Sequence, residues 1–174
     1  RFGNNAKFHE PVFEFDSDNV SNEDILRIGR QLIKKNQTSV SFQPMVPLHE
    51  ATHEIFEVLM CIEKQAFADG EIPGNFLTHV FRTEVGRDFD RVVIADALKR
   101  LKDKKLTAPR TQLSLHLSYA SIADDKFVPW IQRAMEVTGI SAQDLIFKLR
   151  EVDITHHMGE AAKLLDRLPS VEEP

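Results

Sequence analysis

Four side chains with the chemistry to hold a cation or move a proton sit in three separate apolar runs of this chain. Glu57 lies in HEIFEVLMCI (53–62), His116 in QLSLHLSY (112–119), and Lys148 and Glu151 in DLIFKLRE (144–151). The carboxylates and the imidazole are metal-ligand types, and His116 is also a candidate base. By residue type alone, Glu57 in an apolar strand reads more readily as a rim carboxylate or half of an ion pair. His116 among serines reads as a hydrogen-bonded sheet histidine. His49 and His53 flank a turn and could chelate, but no carboxylate pattern accompanies them. His156 and His157 adjoin at the expected start of the last helix, where neighbours point about 100° apart, so they read as a solvated pair.

The elements that must position these residues follow from the hydrophobic spacing. Ser21 three residues before Asp24 is a weak capping box, and Ile25, Ile28 and Leu32 predict an amphipathic helix over 22–35. Strands are predicted at 38–48, 53–62, 112–119 and 144–151, the first confined to a sheet edge by Pro44 and Pro47. Leu113, Leu115 and Leu117 alternate with Ser114, His116 and Ser118, placing the histidine on the face opposite the leucines. A loop through Gly70, Pro73 and Gly74 leads to a short helix at 75–83. A longer helix spans Asp88 to Lys102 and buries Phe89, Val93, Ala97 and Leu101. A further helix begins at an Asp124 or Asp125 cap, packs Phe127, Trp130, Ile131 and Met135 inward, and ends at Gly139. The last helix uses Met158, Ala161, Leu165 and Leu168.

Four strands, each followed by helix, predict an α/β domain with a largely parallel sheet. A closed (β/α)₈ barrel needs about 250 residues and eight such units. The expectation is therefore a partial TIM-like barrel of roughly four βα units behind an N-terminal helix. Residues 1–20 read as a linker or the tail of a preceding domain, 21–170 as the domain, and 171–174 as a tail.

Composition narrows the partners. A net charge of −5 over 174 residues gives no global attraction to nucleic acid. The basic run Lys99–Lys105 sits at a helix C-terminus, where cations complement the macrodipole. No apolar run approaches the roughly 20 residues that span a bilayer. A single cysteine, Cys61, excludes an internal disulfide and fits a reducing compartment. A cytoplasmic location is expected, with neither nucleic acid nor membrane as partner.

Six short motifs carry more information together than any does alone. They are Phe42-Gln43-Pro44-Met45-Val46, Glu57-Val58-Leu59, Ile72-Pro73 with Phe76, Asp90-Arg91-Val92-Val93-Ile94, Leu115-His116-Leu117-Ser118 and Phe147-Lys148-Leu149-Arg150-Glu151. In order and spacing they resemble the EAL family of cyclic-di-GMP phosphodiesterases, whose motifs run QPI, EALLRW, IPxxF, DRWVI, NLS and ExxE. The resemblance covers the first half of the family domain. Glu57-Val58-Leu59 and the stretch FVPWIQRAMEVTGISAQDLIF (127–147) are similar in particular to the FimX type. Domains of that type bind cyclic-di-GMP without cleaving it and regulate type IV pili.

The resemblance implies a degenerate site. EAL phosphodiesterases hold Mg²⁺ or Mn²⁺ through the EAL Glu, the NLS Asn, the first Glu of ExxE and aspartates further on. Here Glu57 keeps the first ligand and Glu151 the second Glu of ExxE. His116 replaces the Asn with a softer imidazole, suited to Zn²⁺, Cu²⁺ or Fe²⁺. Lys148 inverts the charge of a Glu; two positive charges 4 Å apart repel by about 1 kcal/mol in water and about 4 at an effective dielectric of 20. Gln43 and Leu59 survive at ligand-facing positions, but Cys61 stands where the family has a phosphate-gripping Arg.

The implied protein has no catalytic residue, no metal and no cofactor. Cyclic-di-GMP is expected to bind weakly or not at all at the vestigial site of Gln43, Glu57, Leu59, His116, Lys148 and Glu151. The leading expectation is a regulatory module in cyclic-di-GMP signalling that works through a protein partner. The competing readings are a fragment of an active EAL phosphodiesterase and a structural half-barrel that homodimerises through its open sheet edges. If Glu57, His116 and Lys148 converge at the strand ends, the lysine ammonium is expected where the metal would be.

Overall fold

A computed structural model describes residues 21–48, 52–63 and 76–168. The expected linker, His49, the glycine loop, Ile72-Pro73 and the C-terminal tail lie outside these. The chain opens with helix α1, Asn22–Lys34. The Ser21 hydroxyl accepts the Asp24 N–H at 3.2 Å and donates to the Asp24 carboxylate at 2.8 Å. One side chain thus satisfies a first-turn amide and pins a first-turn acid.

Four strands form one sheet in the order β1-β2-β3-β4: Thr38–Met45, Glu54–Ile62, Thr111–His116 and Leu145–Lys148. β2, β3 and β4 are parallel, as expected. β1 departs from the expected alternation of strand and helix: it pairs antiparallel with β2, and no helix lies between them among the described residues. Residues 46–53 are too few for a parallel crossover, which takes a dozen or more residues. Pro44 is tolerated because β1 is an edge of this sheet.

One face of the sheet packs against helices. α2 is Phe76–Val80, and α3, longer than its periodicity suggests, is Glu84–Lys105. From α3, Ile94, Leu98 and Leu101 meet Val58, Leu113, Leu115 and Leu117 in the larger core, which also holds Phe127 and Ile131 of α5, Phe127–Thr138. A second core joins Ile25 and Leu32 of α1, Phe76 and Val80 of α2, and Val85 and Phe89 of α3. The open face is the other one, where Met45, Leu59 and Ile146 are 43%, 37% and 37% exposed.

Several boundaries differ from the sequence reading for identifiable reasons. Neither Asp124 nor Asp125 is the cap of α5, because Lys126 holds that position with no side-chain bond. Asp124 instead accepts the Lys126 N–H, and its own C=O accepts from Phe127. Gly139 does end α5, at φ +73°, a left-handed conformation that favours glycine. The stretch 144–151 divides: a 3₁₀ turn at Ala142–Asp144, four residues of β4, then α6 from Glu151 to His156. Arg150 bonds both oxygens of Asp153 and helps turn the chain into α6, so Glu151 begins a helix rather than ending a strand. α4, Tyr119–Ile122, and α7, Met158–Arg167, complete the elements among the described residues.

The close approach of α3 to its neighbours depends on two missing side chains. A Cβ on Gly86 would stand 2.7 Å from Phe81 Cα and 2.9 Å from the Val80 oxygen, both backbone atoms. A Cβ on Gly29 would meet the Val85 side chain at 2.8 Å. Side chains yield more readily than backbone. Gly86→Ala is therefore expected to lose about 2–3 kcal/mol by urea unfolding, overriding the roughly 1 kcal/mol that helix propensity returns. Gly29→Ala is expected to lose less. An inverted order would contradict this packing.

Candidate functional site

The three parallel strands bring Glu57, His116 and Lys148 to the open face. Glu57 pairs with Ser114, and His116 pairs with Lys148. Side chains alternate along a strand, so these residues share one face while the leucines of β3 share the other. Lys148 on β4 reaches across β3 and donates a hydrogen bond to Glu57 Oε1 on β2, forming an ion pair. The His116 Nε2 lies 3.9 Å from the same oxygen. Adjacent strands are about 4.8 Å apart, so the ion pair strides over a whole strand.

Charge within the cluster is asymmetric. The His116 pKa is held below its ordinary value, first by burial, then by the Lys148 ammonium, against a smaller upward pull from Glu57. At neutral pH the imidazole is uncharged, so the cation facing Glu57 is Lys148. Glu57 and Lys148 are a quarter to a third exposed, so the pair is only partly screened by water.

The remaining expected site residues scatter around this contact. Gln43 lies opposite Glu57 across the β1–β2 ladder and is exposed. Leu59 is on the same face, one pleat further along β2. Glu151 is exposed at the first turn of α6 and makes no hydrogen bond or ion pair with the cluster. The Cys61 thiol donates to the Ser41 hydroxyl at 3.5 Å, so this position carries a short side chain bonded across the ladder. A cleft of about 300 Å³ opens beside the strand ends, lined by Leu59, Phe81, Asp90, His116, Ser118 and Arg150 among others.

Residue-type reasoning passed over several polar groups nearby. Asp90 of α3, 5% exposed, accepts from the Ser118 N–H at 2.8 Å, the Ser118 hydroxyl at 2.6 Å and the Ser121 hydroxyl at 2.7 Å. Burial nonetheless pushes its carboxyl up to about 6 against the pull of those bonds. The Ser-x-x-Ser spacing after His116 is the signal that could have found it. Arg91 bonds Asp124 at 2.7 Å and lies over the Trp130 ring at 5.6 Å, so Trp130 is a half-buried stacking partner as well as core lining. His157 stacks on Tyr119 with ring centroids 3.8 Å apart instead of standing in solvent. Lys104 and Lys105 of the basic run pair with Glu54 and Asp144.

This is an α/β domain built as part of a TIM-like barrel, with a polar cluster on the open face of its parallel strands, where His116 and Lys148 end β3 and β4. The chain belongs to the EAL domain family, which it matches over residues 27–171. It is similar to a crystal structure of a FimX EAL domain, at 28% identity and a TM-score of 0.75, covering 83% of this chain and 58% of that one. The FimX EAL domain from Pseudomonas aeruginosa bound to c-di-GMP is 29% identical, with a TM-score of 0.70, covering 83% and 57%. An uncharacterised 76.5 kDa protein of Thiocystis violacea is 24% identical over 129 residues, 73% of this chain and 18% of that protein. The chain thus spans less than two thirds of the relatives it matches.

The metal that the family implies can be tested against these side chains. A hard dication wants several oxygen ligands. Among the described residues, no three His, Cys, Asp or Glu side chains converge to hold a metal ion. The Glu57 carboxylate is instead engaged by an ammonium group. The donor set does not fit Mg²⁺ or Mn²⁺.

Proposed function

We propose that this chain is a non-catalytic EAL-type module of cyclic-di-GMP signalling, acting through contacts with a protein partner. The observation that carries the proposal is the ion pair between Lys148 and Glu57. Hydrolysis of a phosphodiester in this family depends on a water activated by bound metal, and the first metal ligand is here committed to a lysine. Loss of the arginine at Cys61 removes a two-point grip on phosphate, so nucleotide affinity is weak or absent. Family membership and likeness to FimX EAL domains, one of them bound to c-di-GMP, support the signalling context. The FimX-type resemblance extends the proposal to pilus- or motility-linked regulation.

Incubation with cyclic-di-GMP and Mn²⁺ is expected to yield no linear dinucleotide by chromatography. Calorimetric titration without metal is expected to give little or no heat. Turnover would overturn the proposal. Tight binding would leave the domain non-catalytic but make it a nucleotide sensor.

A further inference from the structure

A second cavity, of about 370 Å³, is lined by Arg82, Tyr119, Val152, Asp153 and His157. It shares none of these residues with the Glu57–Lys148 contact or with the cleft beside it. Arg82 stands in the turn between α2 and α3, Tyr119 opens α4, and the other three belong to α6 and its C-terminal cap. Its walls differ in chemistry. Tyr119 and His157 stack with their ring planes 29° apart and form one aromatic surface. Val152, 46% exposed, extends the apolar side. Arg150, which does not line the cavity, bonds both oxygens of Asp153 at 2.8 and 3.2 Å and so matches its charge. Arg82 is exposed, and among the described residues its guanidinium has no hydrogen bond or ion pair. A solvated arginine alone is ordinary. Here it stands over a cavity whose other walls are aromatic, aliphatic and already neutralised.

We infer that this cavity is the docking point for an acidic segment of a protein partner. Arg82 takes one carboxylate through two parallel bonds, and the neighbouring aromatic or aliphatic side chain lies on Tyr119, His157 and Val152. Arginine and aromatic residues are enriched among the side chains that carry most of the energy of protein interfaces. A basic segment would meet Arg82 with like charge. The volume is at the lower end of the range for small-ligand pockets, about 300–1,000 Å³, and suits two side chains. This docking point gives a chemistry to the partner-binding role proposed above, on which it rests, but it makes no use of the nucleotide. Turnover of cyclic-di-GMP would end the non-catalytic reading and leave the titration below unchanged.

Tyr119 is the single tyrosine of the chain, so labelling with fluorotyrosine places one fluorine NMR resonance in the cavity. Titration with the peptide acetyl-Phe-Glu-Phe-amide is expected to shift that resonance saturably. Acetyl-Phe-Gln-Phe-amide is expected to bind about tenfold more weakly, as befits the loss of one charge-assisted contact. Arg82→Gln, at an exposed position, is expected to keep its thermal midpoint and to lose the same factor. Arg82→Lys, which keeps the charge without the fork, should fall between. Sodium acetate at the peptide's concentration is expected to leave the resonance in place. The absence of a saturable shift at millimolar peptide, equal affinity for the two peptides, or undiminished affinity in Arg82→Gln would overturn the inference. An equal response to acetate would also overturn it, by making the cavity a site for small anions only.

Discussion

Between pH 4 and pH 7 the native chain is expected to lose up to about 3 kcal/mol of stability that an Asp90→Asn variant keeps. The reason is the contest at Asp90. Burial disfavours its charge, three hydrogen bonds from Ser118 and Ser121 favour it, and burial wins. Its carboxyl is raised from 3.8 to about 6, so the folded chain holds the proton more tightly than the unfolded chain. Below 3.8 both states are protonated, and the group's contribution is fully present. As pH rises toward 6 the unfolded chain releases the proton first, and stability falls across that window. At 1.36 kcal/mol per unit the gap amounts to about 3 kcal/mol. Asparagine retains an oxygen for the serine donors and has no proton to lose, so its curve lacks this component. Other carboxylates affect both proteins alike, which makes the difference between their urea-unfolding profiles the readout. Parallel profiles from pH 4 to 7 would show that Asp90 is ionised throughout.

That network also explains how much of the molecule could be read from the chain. Periodicity located the helices and strands, because burial against a common core imposes a period of 3.6 or 2 on the apolar residues. It placed Leu113, Leu115 and Leu117 on one face and His116 on the other; the leucines are buried and His116 is exposed. Periodicity does not encode strand direction, and β1 is antiparallel because its link to β2 is short. Nor does it locate ends set by side-chain bonds. β4 stops at Lys148 because Arg150 and Asp153 begin a helix, and α5 starts one residue after Lys126 although Asp124 looks like a cap.

The site was partly legible through motif order, which marked Glu57, His116 and Lys148 as neighbours on successive parallel strands. The pairing of Lys148 with Glu57 depends on register, which brings residues far apart in sequence within bonding distance. Asp90 was visible only as part of a motif. Its partners lie 28 and 31 residues away on an element whose serines look like ordinary strand-end polar residues.

The second large effect concerns the strand that carries Lys148. β4 has only four residues, and its hold on the sheet comes from β3 on one side and from packing beneath. Phe127 supplies much of that packing. It is fully buried, and its ring meets Phe147 of β4 edge to face at 6.0 Å and Trp130 at 6.0 Å. Phe127→Ala is expected to cost about 3–5 kcal/mol, the range for removing a buried aromatic side chain. Phe127→Leu, which refills most of the volume, is expected to cost less than half of that. Loss at β4 should exceed loss elsewhere, because a short edge strand opens before the central ones. Amide hydrogen exchange in Phe127→Leu is therefore expected to quicken at 145–148 more than at 54–60. Phe147 and Lys148 are adjacent on β4, one on each face, so the same opening releases the ammonium from Glu57. Uniform acceleration along the sheet would mean that the helix packs the domain as a whole and does not position the lysine.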